Sequence, residues 1–357
     1  MRRFFSAIAA TLLLTVPIHA QPNSAAIEAL SRLKGMDLGA NPALKNAVLK
    51  VLDSTKGTAQ FVEIVRDFKL KGETKELVDF AAAHPTESAG VEALRLAAEE
   101  VGPANLGLLS LGLIQAMSNA TDKQFLPALT GVVDDARQPP ENRKAAVKGL
   151  TQLQEGAEHL LTLAREEKLD PSLKFTASAA LNSARWPEIK AEAARILPLP
   201  QGQHAPLPPV SELVKLKGDP DKGAQVFRRL EVNCIACHQV NGQGVDFAPN
   251  LSEIGTKLAK EAIYESILDP SAGISFGYEA WQVDLKNSDE AYGLIASETP
   301  EEIVIKTQTG VSTRYKKSEI VSKRQMKTSI MPAGLQMTMS QQDLVDLVEY
   351  LSSLKKK

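Results

Sequence analysis

Cys234-Ile235-Ala236-Cys237-His238 is the stretch on which the reading of this chain turns. A lone cysteine pair in an exported protein usually reads as a disulfide. Here the two thiols sit three positions apart and an imidazole follows at once. That is the spacing at which both sulfurs can add to the vinyl groups of one haem while the histidine ring reaches the iron. Cys234 and Cys237 are therefore candidate covalent anchors for one haem c, and His238 is the candidate proximal ligand. A zinc site needs about four ligands, but the chain has no further cysteine, and His84, His159 and His204 are scattered upstream. A thioredoxin-like pair needs a βαβ setting, which the flanking sequence lacks.

Downstream, a second axial ligand is sought among Met326, Met331, Met337 and Met339. A thioether is a soft ligand that favours reduced iron and raises the potential. Met331 is followed by Pro332 in SIMPAGL, so its sulfur would sit on a rigid turn. Each methionine also has an ordinary alternative as core filler. His238 and Met331 are 93 residues apart, which is long for a haem-wrapping loop. The period of the sequence changes to two from Trp281 on. AWQVDLK, AYGLIAS, EEIVIKT and STRYK read as four short strands, with NSDE and TQTG as turns. Setting aside 278–325 as an inserted antiparallel β unit, barrel or meander, leaves 45 residues between the two ligands.

The rest of the C-terminal half, 211–357, reads as helical. Asp219-Pro220 looks like an N-cap with proline at the first helical position, opening a helix that runs to the cysteines. Residues 257–268 read as one helix with Leu258, Ile263 and Ile267 inward. The last helix starts at Ser340 with Asp343 as its capping partner.

Upstream, residues 21–197 read as consecutive amphipathic helices, among them AIEALSRLKG, LKNAVLKVLD, AQFVEIVRDF, KELVDFAAAH and VEALRLAAEE. Pro140, Arg143, Ala146 and Leu150 recur as Pro171, Lys174, Ala177 and Leu181, 31 residues on. This resembles the second helix of HEAT-type α-solenoids, with an irregular helical bundle as the alternative. Between the halves, LPLPQGQHAPLPPV supplies a proline-rich tether, and 198–210 is the expected linker. The expected fold is mainly α: a HEAT-like array, then a haem domain carrying a small β unit.

Net charge is −2, and no basic stripe suited to phosphate binding is present, so nucleic acid is not an expected partner. Residues 1–20 resemble a secretory leader, with Arg2-Arg3, an apolar run and a small residue at Ala20. Cleavage there would leave an exported, for instance periplasmic, chain with no transmembrane segment; an uncleaved anchor is the alternative.

Residues 219–354 resemble the Planctomycete and Verrucomicrobium-type haem-binding domain, a c-type cytochrome family. The matching stretches are GAQVF, CIACHQVNGQG, APNLSEIG, ESILDPSAGISFGYEAW, SIMPAGL and DLVDLVEYL. The resemblance implies a class I cytochrome c fold, His238 and Met331 as axial ligands, and a periplasmic redox role. It also implies that the carbonyl of Pro249 receives the N–H of the proximal imidazole. Family members often have Gly-Pro where this chain has Ala248-Pro249, so a small backbone adjustment is expected there.

The function expected is single-electron transfer between a redox protein partner, such as a dehydrogenase, and a respiratory chain, with the helices as docking scaffold. No acid–base constellation or flavin fingerprint suggests substrate turnover. Two alternatives stand beside it: a peroxidase or gas sensor with an open iron, and a scaffold protein with an auxiliary haem.

Overall fold

The computed structural model describes residues 24–198, 207–229, 232–287 and 289–356. The leader expected at 1–20 and most of the linker, 199–206, lie outside the described residues. The chain divides into two compact units, Met1–Leu70 and Lys71–Lys357. The first holds α1 (Ser24–Ser31), α2 (Pro42–Thr55) and α3 (Ala59–Asp67). Val48, Leu52, Phe61, Val62 and Val65 are buried in it.

The second unit begins with eight helices: α4 (Thr74–Ala83), α5 (Ser88–Val101), α6 (Leu111–Ala120), α7 (Leu126–Asp134), α8 (Pro140–Leu150), α9 (Gln154–Arg165), α10 (Pro171–Asn182) and α11 (Pro187–Ile196). Each even-numbered helix packs on the next even-numbered one, while α7, α9 and α11 form a second row. The repeated positions sit at the start and on the inner face of α8 and α10, with Ala146, Leu150, Ala177 and Leu181 fully buried.

Arg143 ties three of these helices together. Its Nε and Nη2 donate to the Val133 carbonyl at 3.0 and 2.8 Å, and Nη1 donates to Asp170 Oδ2 at 2.7 Å. Asp170 caps α10 through the Ser172 N–H. The Arg143 hydrogen bond, seconded by Ser172, lowers the Asp170 pKa to about 2. A depressed carboxylate favours the folded state above its unfolded pKa of about 3.9, and that contribution is lost as pH falls through the folded value. Asp170→Asn is therefore expected to lower the melting temperature at about pH 6. The gap to the parent should close between about pH 4 and pH 2; a gap of constant size down to pH 2 would contradict the assignment.

After α12 (Val210–Leu213) come α13 (Pro220–Arg228), α14 (Ile254–Lys257) and α15 (Lys260–Leu268), and α16 (Gln341–Ser353) closes the chain. Both expected caps are present. Asp219 accepts from the N–H groups of Asp221 and Lys222, and Ser340 and Asp343 form a reciprocal capping box. Two expectations are corrected. The helix over 257–268 is broken: Leu258 and Ala259 adopt extended backbone between α14 and α15, and Leu258 is exposed, while Ile263 and Ile267 are buried. The helix opened by Pro220 stops at Arg228 and does not reach the cysteines.

The β unit has five strands where four are expected: β1 (Trp281–Leu285), β2 (Glu290–Glu298), β3 (Glu302–Lys306), β4 (Ser312–Lys316) and β5 (Ile320–Gln325). All pairs are antiparallel, in the order β4-β3-β2-β1-β5. β1 to β4 form a meander and β5 returns to lie beside β1. The missed strand, IVSKRQ, is exposed along nearly its whole length. An edge strand with little to bury has no alternating pattern to announce it. On the other edge the sheet meets the helices. The Ser312 N–H donates to Ser88 Oγ at 2.8 Å, and Arg95 Nη1 donates to Thr313 Oγ1 at 2.9 Å.

Candidate haem-binding site

Two helices crossing closely hold the start of the motif. A Cβ on Gly223 of α13 would lie 2.0 Å from the Asp346 carbonyl oxygen and 2.7 Å from Tyr350 Cβ, both on α16. Only glycine allows this approach. The buried Asp346 carboxylate accepts the Asp219 N–H and the Gln342 amide, each at 2.8 Å. Phe227 and Tyr350 pack as tilted rings 5.9 Å apart.

Beyond Arg229 the chain turns at Asn233, whose φ of 55° is left-handed, and Cys234–Ala236 form one tight helical turn. The N–H groups of Cys237 and His238 both donate to the Cys234 carbonyl, at 3.1 and 2.9 Å. The two cysteines are not bonded to each other. Burial disfavours the thiolate and pushes both thiols up, Cys234 to about 12 and Cys237 to about 11.

The loop after His238 folds back along the motif. Val245 donates to the Ile235 carbonyl, Phe247 and Ala248 donate to that of Cys237, and Leu251 donates to that of Gln239. Gly244, with φ 106°, fits only because it has no Cβ, which would stand 2.2 Å from the His238 carbonyl oxygen. This fold-back brings the Pro249 carbonyl to 2.7 Å from His238 Nδ1. Burial is the larger influence on His238 and lowers its pKa, against the opposing pull of the Pro249 hydrogen bond. The ring is therefore neutral near pH 7. With Nδ1–H donated to Pro249, the lone pair lies on Nε2. That is the tautomer an iron ligand requires, and the carbonyl fixes the orientation of the ring.

The cysteines face two different apolar clusters. Cys234 packs with Ile235, Leu251, Ile254 and Met331 against the core of Phe227, Leu344, Leu347 and Val348. Cys237 packs with Val245, Ala248, Tyr278, Tyr292 and Met326 against Phe247, Ala280, Leu294 and Ile330. A neutral imidazole, two thiols and apolar surroundings suit a large, flat, mostly apolar macrocycle better than a bare cation. Among the described residues, no group of three or more His, Cys, Asp or Glu side chains is arranged to hold a bare metal ion.

Residues 220–286 match the cytochrome c family. The match supports a c-type cytochrome domain in this part of the chain, and the family implies covalently bound haem c and suggests a haem-binding electron carrier. The match contains the CIACH motif and Pro249 and ends at Lys286, within the β unit and well before Met331. No curated protein sequence matches the chain. No described helix is long and apolar enough to cross a membrane.

The four candidate methionines separate by environment. Met331 lies on the loop after β5, where its N–H donates to Ser329 Oγ at 3.1 Å, and it borders the cluster that holds Cys234. Met326 continues from β5, with its N–H on the Ala280 carbonyl, and borders the Cys237 cluster. Met339 is buried in the core beside α16, and Met337 is exposed. The wall formed by Phe247, Tyr278, Tyr292, Leu294 and Ile330 is absent from the sequence reading. Its members come from segments far apart in the chain, and only the aromatic content of the β unit hints at it.

Proposed function

We propose that this chain is an exported mono-haem c-type cytochrome that passes single electrons between a redox protein, such as a dehydrogenase, and a respiratory chain. Cys234 and Cys237 anchor the haem, His238 and Met331 ligate the iron, and Pro249 orients the proximal ring. The His238–Pro249 hydrogen bond inside the family match carries the reading. The likeness of 219–354 to the Planctomycete and Verrucomicrobium-type domain supports the finer assignment. Bound haem c supplies the one-electron couple. The protein's part would be to hold it rigidly through Cys234 and Cys237, supply His238 and Met331 as ligands to the iron, and exclude water with the two apolar clusters. In this reading the helices α4 to α11 are a HEAT-like docking scaffold, supported by the 31-residue recurrence and the row-by-row packing.

Production in the periplasm of a host with haem c maturation tests this. The intact mass should exceed that of the polypeptide by one haem, and the haem should survive denaturing electrophoresis. Cys234→Ser and Cys237→Ser should each weaken covalent retention, and the double variant should abolish it. A parent protein without covalent haem would overturn the proposal.

A further inference from the structure

Arg185 lies in the loop between α10 and α11, far from the CIACH motif in sequence, yet it reaches the wall beside Cys237. Its side chain is 15% exposed. The guanidinium carbon stands 4.2 Å from the Trp186 ring centre and 4.8 Å from that of Tyr292 on β2. Nη2 pairs with the Glu290 carboxylate, which also accepts the Gln282 amide at 2.7 Å. Nη1 donates to the Gln152 carbonyl at 3.4 Å, while Nε is buried with no hydrogen-bond partner. Burying a guanidinium with one N–H unsatisfied is unfavourable. Its planar group fits a slot between two rings that a lysine cannot fill in the same way.

Tyr292 is the link to the haem site. It and Cys237 both border the cluster of Phe247, Ala280, Leu294 and Ile330. The sheet also touches the loop after the motif directly, through Lys306 and Asp246 at 3.1 Å.

We propose that Arg185 is a positioning residue for electron transfer: by clamping Tyr292 it seals the Cys237 side of the haem, so that the helical array sets part of the reduction potential. The inference rests on haem attachment at Cys234 and Cys237. Loss of the clamp loosens Tyr292 and admits water to that side. A more polar setting favours the more highly charged ferric state, so the potential of the ferric–ferrous couple falls.

A second contact between the helices and the sheet supplies the control. Arg95 of α5 holds β4, two strands away from β2, through Thr313, and also donates to the Ala120 carbonyl of α6; Tyr315 on β4 borders a different apolar cluster from Tyr292. Mediated redox titration of the haem-loaded full-length protein is the test. Arg185→Ala and Tyr292→Ala should each shift the midpoint negative, and the double variant should shift it no further than the larger single change. Tyr292→Phe should keep the parent value, Arg185→Lys should retain most of the Arg185→Ala shift, and Arg95→Ala should lower the melting temperature without moving the midpoint. An unchanged midpoint in Arg185→Ala would overturn this inference and leave the haem assignment intact. So would additive shifts in the double variant, restoration by lysine, or an equal shift from Arg95→Ala. A parent protein lacking haem would overturn both.

Discussion

Met331→Ala should convert the ferric protein from low spin to high spin and lower its reduction potential, whereas Met326→Ala and Met337→Ala should leave it low spin. Removing a thioether ligand takes away a donor that stabilises ferrous iron. The expectation rests on place as well as sequence. Met331 stands on a Met-Pro loop at the edge of the cluster that holds Cys234. Met337 is 46% exposed and available for no buried role. Met326 is the informative comparison, since it too borders the motif, on the Cys237 side. Its replacement should alter packing there without changing the spin state. Electron paramagnetic resonance of the four ferric proteins decides the matter. An unchanged spectrum in Met331→Ala, or a high-spin signal in Met326→Ala, would remove Met331 from the iron.

Gly223→Ala should be among the most damaging single-methyl changes in the chain. The added carbon would stand 2.0 Å from a backbone oxygen and 2.6 Å from a backbone carbon of Asp346. Neither atom can move unless α16 moves with it. Overpacking of this kind costs about 1–3 kcal/mol and more where backbone must shift, so the upper end is expected. Since α13 precedes the motif by only a few residues, haem incorporation should fall as well. Gly131, in α7, supplies the contrast. Nothing lies within 4 Å of a Cβ built there, and replacing a helical glycine by alanine favours the helix by roughly 0.5–1 kcal/mol. Thermal melting should therefore show Gly223→Ala well below the parent and Gly131→Ala at or slightly above it. Equal, small effects would mean that the α13–α16 crossing is looser than described.

What could be read from the sequence and what could not divides by the range of the interactions. Asp219-Pro220 and Ser340 with Asp343 were legible because a cap is decided within four residues. The CIACH motif was legible because haem attachment sets its spacing. Pro249 was placed by resemblance alone, since nothing in its neighbours says that the chain folds back to bring its carbonyl to His238. The break at Leu258 was not legible: an apolar residue at helical spacing reads as inward whether or not the helix is continuous. β5 was hidden for the opposite reason, because a strand that buries little leaves no period-two trace. The Arg185–Tyr292 contact spans more than a hundred residues, and charge and aromaticity at that separation carry no pattern. The sheet reads as an insertion in sequence, but in the fold it lies between the helices and the loop after His238, touching both.

The ferric absorption spectrum of the haem-loaded protein, recorded with and without cyanide, tests the central claim most directly. An electron carrier with His238 and Met331 on the iron has both axial positions filled. Its resting ferric spectrum should be low spin, and cyanide at concentrations that saturate an open haem should change it little or slowly. A resting high-spin spectrum that cyanide converts promptly would contradict the account, and would mark an iron open to small ligands.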